Sequence, residues 1–159
     1  MRKSHARQAV TAPGVGVYVL VLRLEEPGIA VRVGALGRVR FEPSYYAYVG
    51  SARRALAARL TRHLRRSGKR RHWHVDYLRA RTEPVAALAW AGDGVSECAL
   101  SNAVARLAPG SVPRFGSSDC RCRSHLHHFP ADPTEVLLDV QPHPGVRAQL
   151  VWRATGRRT

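Results

Sequence analysis

The sequence predicts an α/β domain of the α+β kind, with a small central, mostly antiparallel β-sheet flanked by helices. Three stretches predict it. GVYVLVLRL (16–24) is apolar on both faces, Val17, Val19 and Val21 on one and Tyr18, Leu20 and Leu22 on the other, as in a strand covered on both sides. YYAYV (45–49) is a second strand, with Tyr46 and Tyr48 on one face. Beyond it, Leu56, Leu60 and Leu64 recur at helical spacing and form the buried stripe of an amphipathic helix. At 159 residues the chain is one domain's worth, long enough to bury a core without disulfides.

The elements follow in order. Residues 1–13 read as a basic, mobile arm ending at Pro13. VRVGALGRVRF (31–41) alternates valines and Phe41 with Arg32, Arg38 and Arg40 around a glycine-bounded turn, a hairpin with one polar face. Gly50-Ser51 ends the tyrosine strand, and a helix of about fourteen residues follows. Along it Arg59, His63 and Arg66 stand at i, i+4 and i+7, beside the leucine stripe. RRSGKRR (65–71) is a solvated basic loop leading to HWHVDYL (72–78), and EPVAALAW (83–90) is another strand. Ser96 is the N-cap of a helix over 97–108, which puts Glu97 on the face of Leu100, Ser101 and Val104. Such a carboxylate is either a partner of the helix dipole or a ligand or base facing a cleft. After Pro130, Val136–Val140 and Leu150–Trp152 are strand candidates before a basic end, so 131–159 is expected to extend and pack on a domain of 14–130.

The formal net charge is +15, carried almost wholly by arginine, whose planar fork suits bidentate phosphate contacts. The expected partner is a polyanion, nucleic acid before anionic membrane; the plainer explanation is an arginine-rich composition inherited from a GC-rich genome. Arg53, Arg54, Arg62, Arg65, Arg66, Lys69, Arg70 and Arg71, with His74 just beyond, form the candidate nucleic-acid-binding surface. The longest apolar run, VGVYVLVL (15–22), is too short to span a bilayer, and no cleavage site follows the basic MRKSHARQ, so a cytoplasmic protein is expected. Three cysteines make no disulfide framework.

Gly16-Val17-Tyr18 and Tyr48-Val49-Gly50 together resemble the two signatures of the GIY-YIG nuclease family. Arg59 eleven residues after Tyr48, His63 four after Arg59, and Glu97 opening a later helix extend the likeness. YVGSA, RLTRHL, HWHVDYL, ECAL and FGSSDCRCRSHL resemble most closely a prokaryotic subfamily, of unassigned function, sometimes joined to endonuclease III-type DNA-repair glycosylases. The likeness runs from about residue 14 to residue 129 through six ordered motifs, where GVY or YVG alone would carry little weight. Departures exist. The hairpin at 31–41 sets the signatures further apart than is typical, and Ser51 stands where many repair-type members carry lysine. Asn102 is too close to Glu97 to be the family's late asparagine, leaving Ser117, Ser118 or Asp119 for that place.

The resemblance implies a metal-dependent endonuclease acting on DNA in repair or processing. Glu97 would hold Mg²⁺ or Mn²⁺, Arg59 the phosphate charge, and Tyr18 would be the general base or orient the water, with Tyr48 and His63 beside it. Without the motifs, Tyr18 and Tyr48 are simply strand aromatics filling a core. The rival reading is a non-catalytic DNA-binding accessory module of a repair system, and an RNA-processing nuclease is a third. A second constellation, CRCRSHLHH (120–128), offers Cys120, Cys122 and His125 which, with Cys98, suit a zinc site; the simpler reading is a strand that sets Cys120 and Cys122 on one face as packed thiols.

Overall fold

The structure is a computed structural model that describes residues 9–12, 14–66 and 68–155. Strand β1 (Gly16–Leu24) is buried from Gly16 to Leu22, as its two-faced apolar pattern requires. Its fully buried valines and leucines each contribute roughly 1.5–3 kcal/mol. On one side β1 pairs with β4 (Ser44–Ala52) and on the other with β5 (Glu83–Ala91). Outward from β4 lie β7 (Leu126–Phe129) and the two-residue β6 (Gly110–Ser111), and outward from β5 lies β8 (Ala148–Arg153). Every pairing in this six-stranded sheet is antiparallel. The expected hairpin is β2 (Ile29–Arg32) with β3 (Arg38–Phe41), a separate two-stranded sheet that turns Ile29 and Phe41 inward and its arginines outward.

Helices cover both faces. Tyr18, Leu20, Leu22, Tyr46 and Tyr48 pack under α1 (Leu56–Leu64) and α2 (His74–Arg79), which contribute Leu56, Leu60, Val75 and Leu78. The opposite face, Val17, Val19, Val21, Val49 and Trp90, packs under α3 (Glu97–Leu107) and α4 (Thr134–Leu137). Trp90 is buried without an orphaned donor, because its Nε1–H reaches Val140 O at 2.7 Å.

Four expectations are corrected. Gly50-Ser51 does not end the tyrosine strand: β4 continues to Ala52, opposite Gly16. The following helix has nine residues, not fourteen, because Ala55 sits in the left-handed region (φ 53°) and the helix starts only after it. Val136–Val140 is no strand. Asp132 Oδ1 accepts Thr134 N–H at 2.9 Å and starts α4, whose Leu137 is buried together with Val140 one turn on. Finally, residues 9–12 are docked rather than mobile: Thr11 N–H donates to Val151 O at 3.1 Å, and Val10 and Ala12 pack on the core. The rest of the expected arm, 1–8 and 13, and the last part of the basic tail, 156–159, lie outside the described residues. Among the described residues no helix is long and apolar enough to cross a membrane.

Candidate active site

The two signature glycines are there to let other groups close in. Gly50 lies opposite Tyr18 in the β1–β4 register, and the tyrosine ring rests on it: a Cβ at Gly50 would stand 2.5 Å from Tyr18 Cζ. A Cβ at Gly16 would likewise strike the carbonyl oxygen of Trp90 on β5. Tyr18 is therefore pressed into the sheet, 2% exposed, with Tyr48 5% exposed and the ring centroids 6.4 Å apart.

His63 of α1 completes a ring cluster, its centroid 5.7 Å from Tyr18 and 6.2 Å from Tyr48. Tyr18 Oη lies 2.8 Å from His63 Nε2. Burial, with Tyr48 adding to it, raises the Tyr18 pKa well above 10, and burial lowers that of His63 despite the nearby Asp76 carboxylate. Both groups are neutral near pH 7, so the phenol donates to Nε2 and the imidazole proton is assigned to Nδ1. Nδ1 faces Asp76 Oδ1 at 3.8 Å, an ion-pair distance too long for a hydrogen bond, and has no hydrogen-bond partner among the described residues.

Asp76 is the anion under this cluster. Its buried carboxylate accepts two bonds from Arg62, at 2.9 and 3.1 Å, and the backbone N–H groups of His72 (2.8 Å) and Trp73 (3.0 Å). Lys69 Nζ stands 3.8 Å away. Burial opposes ionisation, but His63, Arg62 and the two N–H groups more than offset it and hold the carboxyl far below the usual range.

One residue of β4 then gathers the remaining pieces. The Arg59 guanidinium, reaching from α1, donates to Ser51 O and lies over the Trp73 ring, 4.9 Å from its centroid. From α3 on the other face, Glu97 Oε2 accepts the Ser51 hydroxyl at 2.5 Å, and Glu97 Oε1 lies 2.8 Å from His125 Nδ1. Ser96 Oγ accepts Ala99 N–H at 3.0 Å and fixes the helix start that aims Glu97. Burial works against the Glu97 charge, but the close approach of His125, the Ser51 hydroxyl and the nearby Arg59 lower its pKa. Its side chain is 30% exposed.

Tyr18, Tyr48, Arg59, His63 and Glu97 are thus brought together. The expected basic surface is only partly free. Arg53, Arg54, Arg65, Arg70 and Arg71 are exposed. By contrast Arg62 is spent on Asp76, Arg66 pairs with Glu83 at 3.2 Å, and His74 Nδ1 accepts Gly116 N–H at 2.9 Å. Lys69 is no solvated loop residue: its side chain is 4% exposed and donates to the carbonyls of Arg62 and His63. Ser117 O takes Cys120 N–H, so it holds its own loop.

Residues 120–122 lie in a bent, irregular loop, not a strand, which removes the packed-thiol arrangement. Cys98, Cys120, Cys122 and His125 instead offer ligand atoms all within 4.8 Å of one another, a group able to hold a metal such as zinc. Asp76 and Trp73 escaped the sequence reading. The signal was present in Trp73-x-x-Asp76, the spacing at which an acid in the first turn reaches back to cap a helix. Residues 17–143 match a family described as a domain of unknown function, DUF123. No curated protein and no solved structure gives a significant match to the chain.

Proposed function

The chain belongs to the DUF123 family, and because that description leaves its chemistry open we propose a function from the site: metal-dependent cleavage of phosphodiester bonds in nucleic acid, DNA favoured over RNA, by a nuclease of the GIY-YIG kind. The observation that carries this reading is the meeting of Arg59 and Glu97 on Ser51, next to Gly50, which lies opposite the Tyr18 of the Tyr18–His63 pair. A guanidinium, an ionised and partly open carboxylate and a proton-accepting chain are what hydrolysis of a phosphodiester asks of a protein.

Glu97 suits a hard divalent cation: it is charged, it is an oxygen donor, and each of its oxygens keeps a lone pair beyond the contacts with Ser51 and His125. A bound Mg²⁺ or Mn²⁺ supplies Lewis-acid relief of charge on the phosphoryl oxygens. Arg59, steadied by Trp73 and Ser51, neutralises the same developing charge. Tyr18 is no free phenolate, since burial holds its proton. It acts as a base only in concert: as it takes a proton from the attacking water it gives its own to His63 Nε2, and Asp76 stabilises the imidazolium formed.

A second reading rests on the burial of Tyr18 and Tyr48 and on the intramolecular partners of both Glu97 oxygens: a DNA-binding accessory module that keeps the fold but not the reaction, serving for instance a repair glycosylase. One experiment separates the two. The purified protein is assayed on single-stranded, duplex and branched DNA and on RNA, with and without Mg²⁺ or Mn²⁺, beside Glu97→Gln. The nuclease reading expects cleavage that Glu97→Gln reduces at least about a hundredfold, with DNA affinity unchanged or slightly raised. Binding without cleavage under any metal establishes the accessory module, and undiminished cleavage by Glu97→Gln reduces that carboxylate to a helix-dipole partner.

A further inference from the structure

We propose that Cys98, Cys120, Cys122 and His125 bind one zinc ion, and that this zinc sets the position of Glu97 through His125. The four ligand atoms lie within 4.8 Å of one another, and His125 Nε2 stands 3.5 Å from Cys120 Sγ. Tetrahedral zinc, with Zn–S about 2.3 Å and Zn–N about 2.0 Å, needs S···N edges of about 3.5 Å and S···S edges of about 3.8 Å. The cluster is close to that size already. All three cysteines are free thiols, and three sulfurs with one imidazole form a soft donor set that selects zinc over the hard cations suited to Glu97.

The ligands come from two places in the chain. Cys98 stands in the first turn of α3, next to Glu97. Cys120, Cys122 and His125 come from the bent, irregular loop just before β7. Its backbone is held at the His125 end, by His125 N–H to Phe115 O and Val49 N–H to His125 O, and at Cys120 by the bond of Cys120 N–H to Ser117 O. A zinc ion would tie it to the helix and fix both.

His125 is the link to the candidate active site. The ring is buried, its Nε2 turned to the cysteines and its Nδ1 2.8 Å from Glu97 Oε1. That approach is close but poorly aligned, so Nδ1 counts as a buried atom without a sound hydrogen bond. Zinc on Nε2 forces the proton onto Nδ1 and draws the ring into one orientation, the arrangement in which a metal-bound histidine donates its second N–H to a carboxylate. Glu97 is then held by the zinc centre through His125 and by β4 through Ser51. The zinc site stands independently of the nuclease reading, and only its effect on Glu97 chemistry rests on it.

The test begins with the full chain purified under reducing conditions, without chelator, from cells supplied with zinc. Elemental analysis is expected to give about one zinc per chain, falling below about a tenth in Cys98→Ser and Cys122→Ser. Since those variants can lose their fold along with the metal, Co²⁺ is also exchanged into the wild type, where thiolate charge transfer and tetrahedral d–d bands are expected. Long-range ¹⁵N NMR of the zinc form is expected to show His125 protonated at Nδ1. Trace zinc in the wild type, an octahedral cobalt spectrum, a disulfide among the three cysteines, or zinc retained in full by both variants overturns the site. A His125 protonated at Nε2 overturns the link to Glu97. A full zinc site in a protein that cuts nothing upholds the site while removing the nuclease reading.

Discussion

Replacing Asp76 by asparagine removes the anion on which α1, α2 and the basic loop converge. The wild-type carboxylate takes four hydrogen bonds, two from Arg62 and one each from the N–H groups of His72 and Trp73, with Lys69 and His63 at 3.8 Å. Asparagine keeps one acceptor oxygen but turns an NH₂ toward groups that are all donors, and leaves Arg62 and the nearly buried Lys69 without a counter-charge. Breaking a buried charge pair from one side costs about 3–5 kcal/mol. At about 2–4 °C per kcal/mol for a domain of this size, the Tm should fall by about 6–20 °C. The sign of the pH dependence follows from the depressed pKa. Asp76 is ionised at lower pH in the folded than in the unfolded chain, so its stabilisation is present in full above the unfolded value, about 3.9, and is lost as pH falls toward the folded value. The gap between wild type and variant should narrow as pH falls below 4. Calorimetric melts of both proteins from pH 7 downward decide the matter. A Tm difference under about 2 °C at pH 7, or a gap that widens as pH falls below 4, refutes the electrostatic account of this cluster.

Tyr18→Phe removes the hydroxyl bonded to His63 and should abolish cleavage while leaving DNA affinity within about twofold, measured by gel shift beside the activity assay. If His63 must accept that proton, wild-type cleavage should rise with pH through a pKa below 6.5 and then level off; a rate that is highest at acid pH and falls as pH rises removes His63 from the reaction. With five exposed arginines (Arg53, Arg54, Arg65, Arg70 and Arg71) on phosphates, duplex affinity should drop about 500-fold between 50 and 200 mM salt, and a flat titration removes nucleic acid as the partner. Gly50→Ala drives a methyl into the Tyr18 ring and should cost about 2–3 kcal/mol in urea unfolding; an unchanged midpoint shows that the ring moves aside freely.

Much of the frame was legible because it rests on local pattern. The doubly apolar β1, the alternating hairpin and the Ser96 cap each carry their own signal, and the structure has all three. Gly50 misled for a physical reason: glycine ordinarily breaks a strand, whereas here its missing Cβ makes room for a ring on the neighbouring strand. The left-handed Ala55 that shortens α1 has no sequence mark at all. Where the basic residues go depends on distant partners. A count of charges places Lys69 in solvent, but a buried aspartate seven residues further on draws it inside. The four metal-ligand candidates are split between a helix and a loop, and only the packing of α3 beside β7's approach brings Cys98 within reach of the others.

The hydrogen bond between Thr11 and Val151 has a bearing on the borders of the sheet. A sheet whose outermost strand shows a bare row of N–H and C=O groups invites another chain to join it. Here the β8 border is overlain by the segment 9–12, and the opposite border is β6, only two residues long and too brief to template anything. Both margins are blunted without a single proline or charged residue placed for the purpose in β6 or in the overlying segment. The segment 9–12 serves β8 as a selvedge, so neither border offers a neighbouring chain a long bare edge.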